Sequence, residues 1–313
     1  MLRKAKLKEI GRTEYPALIT KCFPPDTLKK LEALKVSCRE VEDDKLRNIV
    51  WFIITSILRS ASPVGTAQWQ YIQPNKTKAK VLDPFAAYES KLAEMLEDIQ
   101  KLKGRFGASS SAVILKEDAR NIVSVPEKWA DMVITSPPYA NNYDYADAMR
   151  LEMLFWDDIN GWKDLVDKVG VNLIRACTQH VSALKDSVGY MSSELLAPIR
   201  DEIEEKYFLL KDERSKHGGK KNYHTMVAAY FYDMAQVFWS LERVTSDNCT
   251  MCFVVGDSAP YGIHIPVDEW LGKLAQAAGF NDYSFEKLRD RNTKWKNRKH
   301  RVLLKEGRLW INK

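Results

Sequence analysis

The chain has 313 residues, of which 45% are hydrophobic and 29% are charged, and its formal net charge is +6. This length and composition predict a globular protein with a sizeable core, built as one large domain or as a domain with a helical lobe. The longest apolar run, residues 49–58, is too short to cross a bilayer, and the first residues lack the apolar segment of a secretory signal.

Five cysteines, at positions 22, 38, 177, 249 and 252, form no disulfide pattern and predict a reducing, cytoplasmic location. Cys249 and Cys252 make a single Cys-x-x-Cys pair without a second pair. Because both lie in an apolar segment, we interpret them as core residues, and the sequence predicts no metal site.

Residues 1–105 are predicted to form a mostly helical lobe. One helix is expected from Pro24 to about Lys35, and a second from Asp43 or Asp44 to Ser60, apolar on most faces and therefore buried. After an Asp-Pro-Phe stretch at residues 83–85, apolar residues recur at intervals of three and four. This pattern predicts an amphipathic helix with Asp83 as its N-cap and Gly104 at its end.

Two short strands are predicted next. Residues 112–115 should form one that leads to Asp118. Residues 131–134 should form a buried parallel strand that ends abruptly at Ser136-Pro137-Pro138-Tyr139, because two prolines cannot continue a ladder. The prolines fix the backbone and hold the side chains on either side of them in one geometry.

The remainder of the chain alternates helices and strands. Helices are expected at residues 162–184, 192–206 and 223–241, with a loop at residues 211–221. A second buried strand, residues 249–258, ends in Gly256-Asp257-Ser258, and its polar end should lie beside that of the first. A helix from Pro266 to Gly279, a strand at 283–288 and a hairpin of residues 302–304 and 309–311 complete the pattern.

Positive charge is concentrated in one segment. Residues 287–301 hold eight Lys or Arg and one acid, a net of +7, which leaves the other residues at −1. Trp295 and His300 lie between these cations, as is typical of a surface that meets phosphates and unstacked bases. The alternative is a solvated charged surface.

The Ser-Pro-Pro-Tyr turn offers a specific chemistry. The Ser136 hydroxyl and the carbonyl of Pro137 can accept hydrogen bonds from an exocyclic amine, and the Tyr139 ring can stack a heterocycle. The ligand that fits these groups is an amino-bearing base.

This turn resembles motif IV of the amino-directed DNA methyltransferases, in which Asp, Asn or Ser precedes Pro-Pro and an aromatic residue. The longer string, residues 135–152, is similar to one prokaryotic group of these enzymes, which belong to restriction-modification systems. The resemblance implies an α/β fold with a Rossmann-like S-adenosylmethionine methyltransferase sheet. Residues 106–313 would be the catalytic domain, with a helical insertion at about 146–221. In this family Ser at the first motif position favours cytosine N4 over adenine N6.

The resemblance also implies roles for particular residues. Catalysis, after base flipping, would depend on Ser136, Pro137, Pro138 and Tyr139. Thr135 and Asp118 would lie on the cofactor side. The segment after the turn, the end of the second strand and the basic segment supply the expected substrate-binding residues Tyr143, Asp144, Asp257, Arg291, Lys294, Lys296 and Arg298.

Residues 83–85 look like the start of methyltransferase motif I, but the glycines that hold the cofactor do not follow. We therefore expect a split enzyme, a heterodimer in which a second polypeptide carries the Gly-rich S-adenosylmethionine motif. Two alternatives remain open: an RNA amino-methyltransferase, because the turn recognises the amine and not the polymer, and a non-catalytic DNA-binding or specificity subunit.

Overall fold

The structure is a computed structural model that describes residues 1–66, 71–106, 112–141, 143–182, 184, 188–291 and 303–313. It is a mixed α/β protein that divides into two compact units. One comprises Met1–Val113 and Ala146–Asp167, and the other comprises Ile114–Tyr145 and Lys168–Lys313. In these ranges, no helix combines the length and the apolar character that a membrane span requires.

The first unit is mostly helical. Its helices are α1 (Leu2–Lys6), α2 (Ala17–Cys22), α3 (Pro25–Arg39), α4 (Asp44–Ala61), α5 (Pro84–Phe106), α7 (Arg150–Phe155) and α8 (Trp162–Asp164), and α6 (Tyr145–Ala148) spans the point where the chain enters it from the other unit. Strands β1 (Val64–Thr66) and β2 (Ile72–Thr77) form a small antiparallel pair.

Side-chain caps fix the starts of two predicted helices. Asp43 accepts a hydrogen bond from the Leu46 amide at 2.8 Å, and Asp83 accepts from the amides of Phe85 at 3.0 Å and Ala86 at 3.2 Å. The predicted N-caps are therefore confirmed. The predicted end of α5 at Gly104 was wrong, since the helix continues to Phe106.

Helix α4 is buried on one face only. Ile53, Ile54 and Leu58 are fully buried, whereas Trp51 and Phe52 are exposed. The prediction that the whole helix is buried was therefore wrong, because its apolar residues exceed what one face can present to the rest of the unit.

The buried ammonium group of Lys35 links several segments of the first unit. Lys35 is completely buried, and its ammonium donates to the carbonyl of Phe155 at 2.5 Å and to the carboxylate of Asp157 at 2.6 Å. Arg12 also donates to Asp157, at 3.0 Å. Burial raises the pKa of Asp157, but the hydrogen bonds from Lys35 and Arg12 outweigh it and hold that pKa at about 2.

The second unit contains a four-stranded mixed sheet. Its strands are β3 (Ala130–Thr135), β4 (Thr245–Gly256), β5 (Asp282–Arg291) and β6 (Leu304–Asn312), in the order β3-β4-β6-β5. Strands β3 and β4 are parallel, and the other two pairings are antiparallel. Its helices are α9 (Val188–Met191), α10 (Arg200–Lys216), α11 (Tyr223–Val244) and α12 (Val267–Ala278).

One face of this sheet packs on helices. Met251, Phe253, Leu309 and Ile311 project from β4 and β6 into a single core with residues of α11 and α12. Helix α12 ends at Gly279, whose φ of 114° confirms the predicted glycine cap. Cys249 and Cys252 are buried thiols in β4, which confirms that they are core residues.

The predicted burial of β3 was wrong. The strand is parallel to β4 as expected, but Met132 is 56% exposed and Ile134 is 72% exposed. The physical reason is the position of β3 at the edge of the sheet, where no described strand lies on its other side and no described helix covers this face.

The predictions of a late hairpin and of a strand at residues 112–115 were also wrong. Strand β6 runs without interruption through Glu306-Gly307 and pairs with β5. Gly307 permits this because a Cβ there would lie 2.2 Å from the carbonyl oxygen of Glu286. Residues 112–115 are described but belong to no strand, and Ile114 is 96% exposed.

The middle helices differ from their predicted bounds. After α8 the chain forms one π turn, Leu165–Val169, and one 3-10 turn, Gly170–Asn172, in place of a helix to residue 184. Pro198 lies in a further 3-10 segment, and α10 begins only after it. The predicted loop at 211–221 was wrong for its first half, since α10 extends to Lys216, which pairs with Asp212 at 2.8 Å and Glu213 at 2.7 Å.

Candidate functional site

Two strand ends meet in the second unit. Thr135, half-buried, ends β3 opposite Phe253 of β4, and the Ser136 hydroxyl donates to the Val254 carbonyl at 3.4 Å. Beyond the strands, the Ser258 hydroxyl donates to the carbonyl of Ala140. The prediction that the two polar ends are neighbours is therefore confirmed, and the turn after β3 is attached directly to the segment after β4.

In the Ser-Pro-Pro-Tyr turn, the side chains of Ser136 and Tyr139 differ in their exposure to solvent. Pro137 is buried, Pro138 and Tyr139 are half-buried, and Ser136 is exposed. The amide of Tyr139 donates to the Tyr145 hydroxyl at 3.4 Å. Burial raises the pKa of the Tyr139 phenol, so the ring stays neutral at physiological pH. A neutral, half-buried ring suits stacking.

A second aromatic pair lies beside this turn. Tyr143 contacts Tyr145 edge to face, with 4.6 Å between ring centroids and 89° between ring planes. Since Tyr145 also accepts from the Tyr139 amide, the pair connects the predicted base-stacking residue to the following helix. Tyr145 was not among the predicted site residues, although its place six residues after Tyr139 was visible in the sequence.

Asp257 follows β4 and is almost completely buried. Its Oδ2 atom lies 3.0 Å from Nε2 of His264, while its Oδ1 atom is buried without a hydrogen-bond partner among the described residues. The His264 side chain is half-exposed, whereas that of Asp257 is buried. Sequence reasoning missed His264, because a lone histidine seven residues after the strand gives no pattern.

Arg291, the last residue of β5, lies against Tyr139. Its guanidinium carbon is 5.0 Å from the centroid of the Tyr139 ring, and its Nη1 donates to the carbonyl of Asp257 at 3.1 Å. The structure thus brings together Ser136, Tyr139, Asp257 and Arg291, four of the predicted site residues. The other predicted basic residues, Lys294, Lys296 and Arg298, lie outside the described residues.

Asp144, Cys177 and His180 form a buried polar cluster whose ligand-type atoms lie within 4.8 Å of one another. His180 Nε2 is 3.3 Å from Asp144, and burial raises the pKa of the Cys177 thiol to about 11. The donor set is one that zinc accepts. However, a metal-bound histidine normally donates its other ring nitrogen, and Nδ1 of His180 has no acceptor in the described part of the chain.

Asp118 belongs to an ion-pair network. The Arg120 guanidinium donates to Asp118 at 2.7 Å and to the fully buried Asp233 at 3.2 Å, and Arg175 donates to Asp233 at 2.9 Å. The hydrogen bonds from Arg120 lower the pKa of Asp118. Asp118 is therefore an ionised carboxylate already bound by a guanidinium, and its cofactor role stays a prediction.

The described residues do not fit S-adenosylmethionine as a whole. Asp83, where a cofactor motif would begin, serves as an N-cap and pairs with Lys30 at 2.5 Å. No Gly-x-Gly follows it in the sequence. The hydroxyl of Ser136 and the ring of Tyr139 offer a hydrogen-bonding group and a stacking surface, and their predicted role in binding a base stays a prediction.

Comparison with known proteins shows what the chain is similar to. The chain is 28% identical over 281 residues to the type II methyltransferase M.AvaI of Nostoc sp. and to that of Anabaena variabilis, a match that covers 83% of this chain and 56% of each relative. It is 27% identical over 240 residues to the type II methyltransferase M.BsoBI of Geobacillus stearothermophilus, covering 71% of this chain and 45% of the relative.

The chain is thus similar in sequence to type II methyltransferases, and its mixed α/β sheet is compatible with a methyltransferase fold. It spans about half the length of the curated relatives it matches. No family model matches it, and no solved structure matches it.

Proposed function

We propose that this chain is the target-base half of a site-specific DNA methyltransferase with a Rossmann-like sheet. The enzyme would transfer a methyl group from S-adenosylmethionine to an exocyclic amine, with cytosine N4 favoured over adenine N6. The observation that carries the proposal is the Ser136-to-Tyr139 turn at the end of parallel strand β3, joined to the end of β4 at Asp257 and Ser258. The similarity to type II methyltransferases supports it.

The chain's own residues would act on the base. A nucleotide flipped out of the duplex stacks on Tyr139, whose half-buried ring stays neutral. The exposed Ser136 hydroxyl and the Pro137 carbonyl accept hydrogen bonds from the amine and aim its lone pair. Such alignment is a main catalytic term for a nucleophile that is already part of the substrate. The cofactor, when bound, supplies an electrophilic methyl group.

Asp257, which pairs with His264, follows β4 beside the turn, since Arg291 binds the backbone carbonyl of Asp257 and also contacts Tyr139. A carboxylate beside the amine would stabilise positive charge that develops on nitrogen. Tyr143 and Asp144 lie on the segment that follows the turn, where a substrate nucleotide would enter.

The partner proposal depends on the uncovered face of the sheet. Ladder partners project to the same side, so Ile134, Cys252 and Trp310 form one row across β3, β4 and β6. The opposite row packs into the core, whereas Ile134 and Met132 are exposed at an edge where no described strand pairs. Paired parallel strands such as β3 and β4 are normally covered on both faces, and an exposed apolar edge favours association.

We therefore propose that a second polypeptide, which carries the Gly-rich S-adenosylmethionine motif, pairs with the edge of β3 and covers this face. The assembly would be a heterodimer that holds the cofactor largely on the partner's residues. This occupant is favoured over a second copy of the chain because the described residues fit the base and not the cofactor.

Tritium transfer from labelled cofactor tests the function. The chain, co-expressed with a neighbouring open reading frame that encodes Asp-Pro-Phe-x-Gly-x-Gly, should label duplex DNA, and Ser136→Ala should reduce labelling strongly. Preferential labelling of tRNA would instead indicate an RNA methyltransferase. Unchanged DNA labelling by Ser136→Ala would indicate a non-catalytic specificity subunit.

Mass spectrometry of nucleosides from modified DNA tests the target atom. We expect N4-methylcytosine, because Ser occupies the first position of the turn. Recovery of N6-methyladenine alone would overturn the cytosine assignment and leave the amine chemistry in place.

A further inference from the structure

Arg291 extends across the sheet toward Tyr139. It is the last residue of β5, the outer strand, and its side chain passes the ends of β6 and β4 to reach the turn after β3. A glycine makes this path available, because a Cβ at Gly256 would lie 2.8 Å from Nη1 of Arg291. The contact between Arg291 and Tyr139 therefore depends on the ends of three strands: β5 carries Arg291, β4 ends at Gly256, and Tyr139 follows β3.

The guanidinium is already held by protein groups. Nη1 donates to the Asp257 carbonyl at 3.1 Å, and Nε lies 3.6 Å from a carboxylate oxygen of Glu306. The Arg291 side chain is only 15% exposed and that of Glu306 only 12%. A phosphate would have to displace these partners, whereas an exposed lysine or arginine binds phosphate without such a loss.

The planar guanidinium suits the face of an aromatic ring. Its carbon lies 5.0 Å from the Tyr139 centroid, within the range of a cation–π contact. Glu306 lies beside Arg291 but is bound more closely by Arg289, at 2.6 Å, so it offsets only part of the positive charge of Arg291. With one face of the ring supported, a base that stacks on Tyr139 would use the opposite face.

We propose that Arg291 is a positioning residue that supports one face of Tyr139 so that the target base stacks on the other, and that it is not a phosphate contact. This assignment rests on the proposed methyltransferase function. Glu306 and the Asp257 carbonyl fix the guanidinium, the guanidinium fixes the ring, and the ring fixes the base. Sequence charge alone assigned Arg291 to the DNA backbone.

Fluorine NMR tests the contact without nucleic acid. In the chain labelled with 3-fluorotyrosine, the Tyr139 signal is identified by its loss in Tyr139→Phe. Arg291→Met should shift that signal, and Gly256→Ala, which displaces the guanidinium by its Cβ, should shift it in the same direction. Arg308→Met is the matched control, because Arg308 lies in the same sheet and pairs with Glu286 at 3.1 Å. An unmoved signal in Arg291→Met would overturn the proposal.

Kinetics on the co-expressed complex and unmodified plasmid DNA test the role. Arg291→Met should lower kcat roughly 2- to 30-fold, equivalent to about 0.5–2 kcal/mol for a cation–π contact, with DNA affinity unchanged. Arg291→Lys should be nearly as slow, because an ammonium lacks the planar surface. The opposite result would identify Arg291 as a phosphate contact. In that case Arg291→Lys would be fully active, and only Arg291→Met would reduce the salt dependence of DNA binding. If wild type methylates no nucleic acid, the proposed function fails, while the fluorine signal still decides whether Arg291 supports Tyr139.

Discussion

Ile134 lies directly opposite Cys252 in the parallel pairing of β3 and β4, yet Ile134 is 72% exposed and Cys252 is 6% exposed. Both side chains project from the same face of the sheet. The difference arises because Cys252 has β6 on its far side and Ile134 has no described strand there. This exposed apolar residue at a parallel edge lies at the centre of the surface that we propose a second polypeptide covers.

Ile134→Asp should therefore weaken assembly and leave the isolated chain as stable as before. A surface substitution typically changes stability by about 0.5 kcal/mol or less, so the midpoint of thermal unfolding of the isolated chain should change little. Sedimentation of the co-expressed complex should show dissociation. Ser284→Asp is the matched control, since Ser284 lies in the same row on the outer strand. An intact complex in Ile134→Asp would exclude this face as the interface, and concentration-dependent association of the chain alone would identify a second copy as its occupant.

Tyr139→Ala should reduce turnover much more than cofactor binding. The ring is proposed to hold the base, where stacking contributes about 1–3 kcal/mol. Tyr139→Phe retains the ring and should lose little activity. Single-turnover rates and calorimetry with S-adenosylmethionine measure the two effects, and a loss of cofactor affinity equal to the loss of rate would contradict the assignment.

Replacing Lys294, Lys296 and Arg298 by Gln should weaken DNA binding uniformly across sequences. Each lost phosphate contact should reduce the slope of log K against log salt by about 0.9. Filter binding to duplex DNA at several salt concentrations measures this slope.

The control for these basic residues removes the same charge elsewhere. Lys45, Lys103 and Lys163 are exposed residues of the first unit, and their replacement by Gln should leave the slope unchanged. Equal slopes for the two triple variants would place the DNA on another surface.

Asp157→Asn should destabilise the protein at neutral pH. It leaves the fully buried Lys35 ammonium without its carboxylate, a change that costs about 3–5 kcal/mol for a fully buried pair and less here, because Asp157 is 36% exposed. Asn tolerates the φ of 66° at this position, so the backbone should not be strained. Lys35→Met should cost less, since Asp157 keeps Arg12 and Arg39. Denaturant unfolding measures both variants, and a larger loss in Lys35→Met would contradict this order.

His224 should make stability depend on pH between about 6.5 and 4. Its ring is buried against Tyr207, and burial followed by the charges of Arg214 and Lys211 lowers its pKa to about 4. Unfolded histidine titrates near 6.5, so the unfolded state binds the extra proton first and stability falls as the pH drops from about 6.5 to about 4.

His224→Phe should remove that dependence, because the replacement ring carries no proton. Thermal unfolding of both proteins across this window measures the difference. Parallel pH profiles for the variant and the wild type would show that His224 does not titrate differently on folding.

The sequence by itself determined the local structures. Asp43 and Asp83 identified helix starts because an N-cap acts on amides two or three residues away. Gly279 identified a helix end, and the Pro-Pro pair fixed the turn after β3, since both effects are confined to neighbouring backbone. The juxtaposition of the polar ends of β3 and β4 was also predicted, from two apolar runs that each end in polar residues.

Only the tertiary structure decided which side chains from distant parts of the sequence contact those segments. Leu304 and residues 309–311 proved to belong to one strand, because Gly307 allows a close approach that no local pattern encodes. Arg291 is 152 residues from Tyr139 in the sequence, and strand order and the open space at Gly256 direct its side chain to that ring instead of to solvent. The apolar residues of β3 indicate that burial of this strand is favourable. Because the hydrophobic effect is non-directional, the sequence does not specify which surface covers the strand.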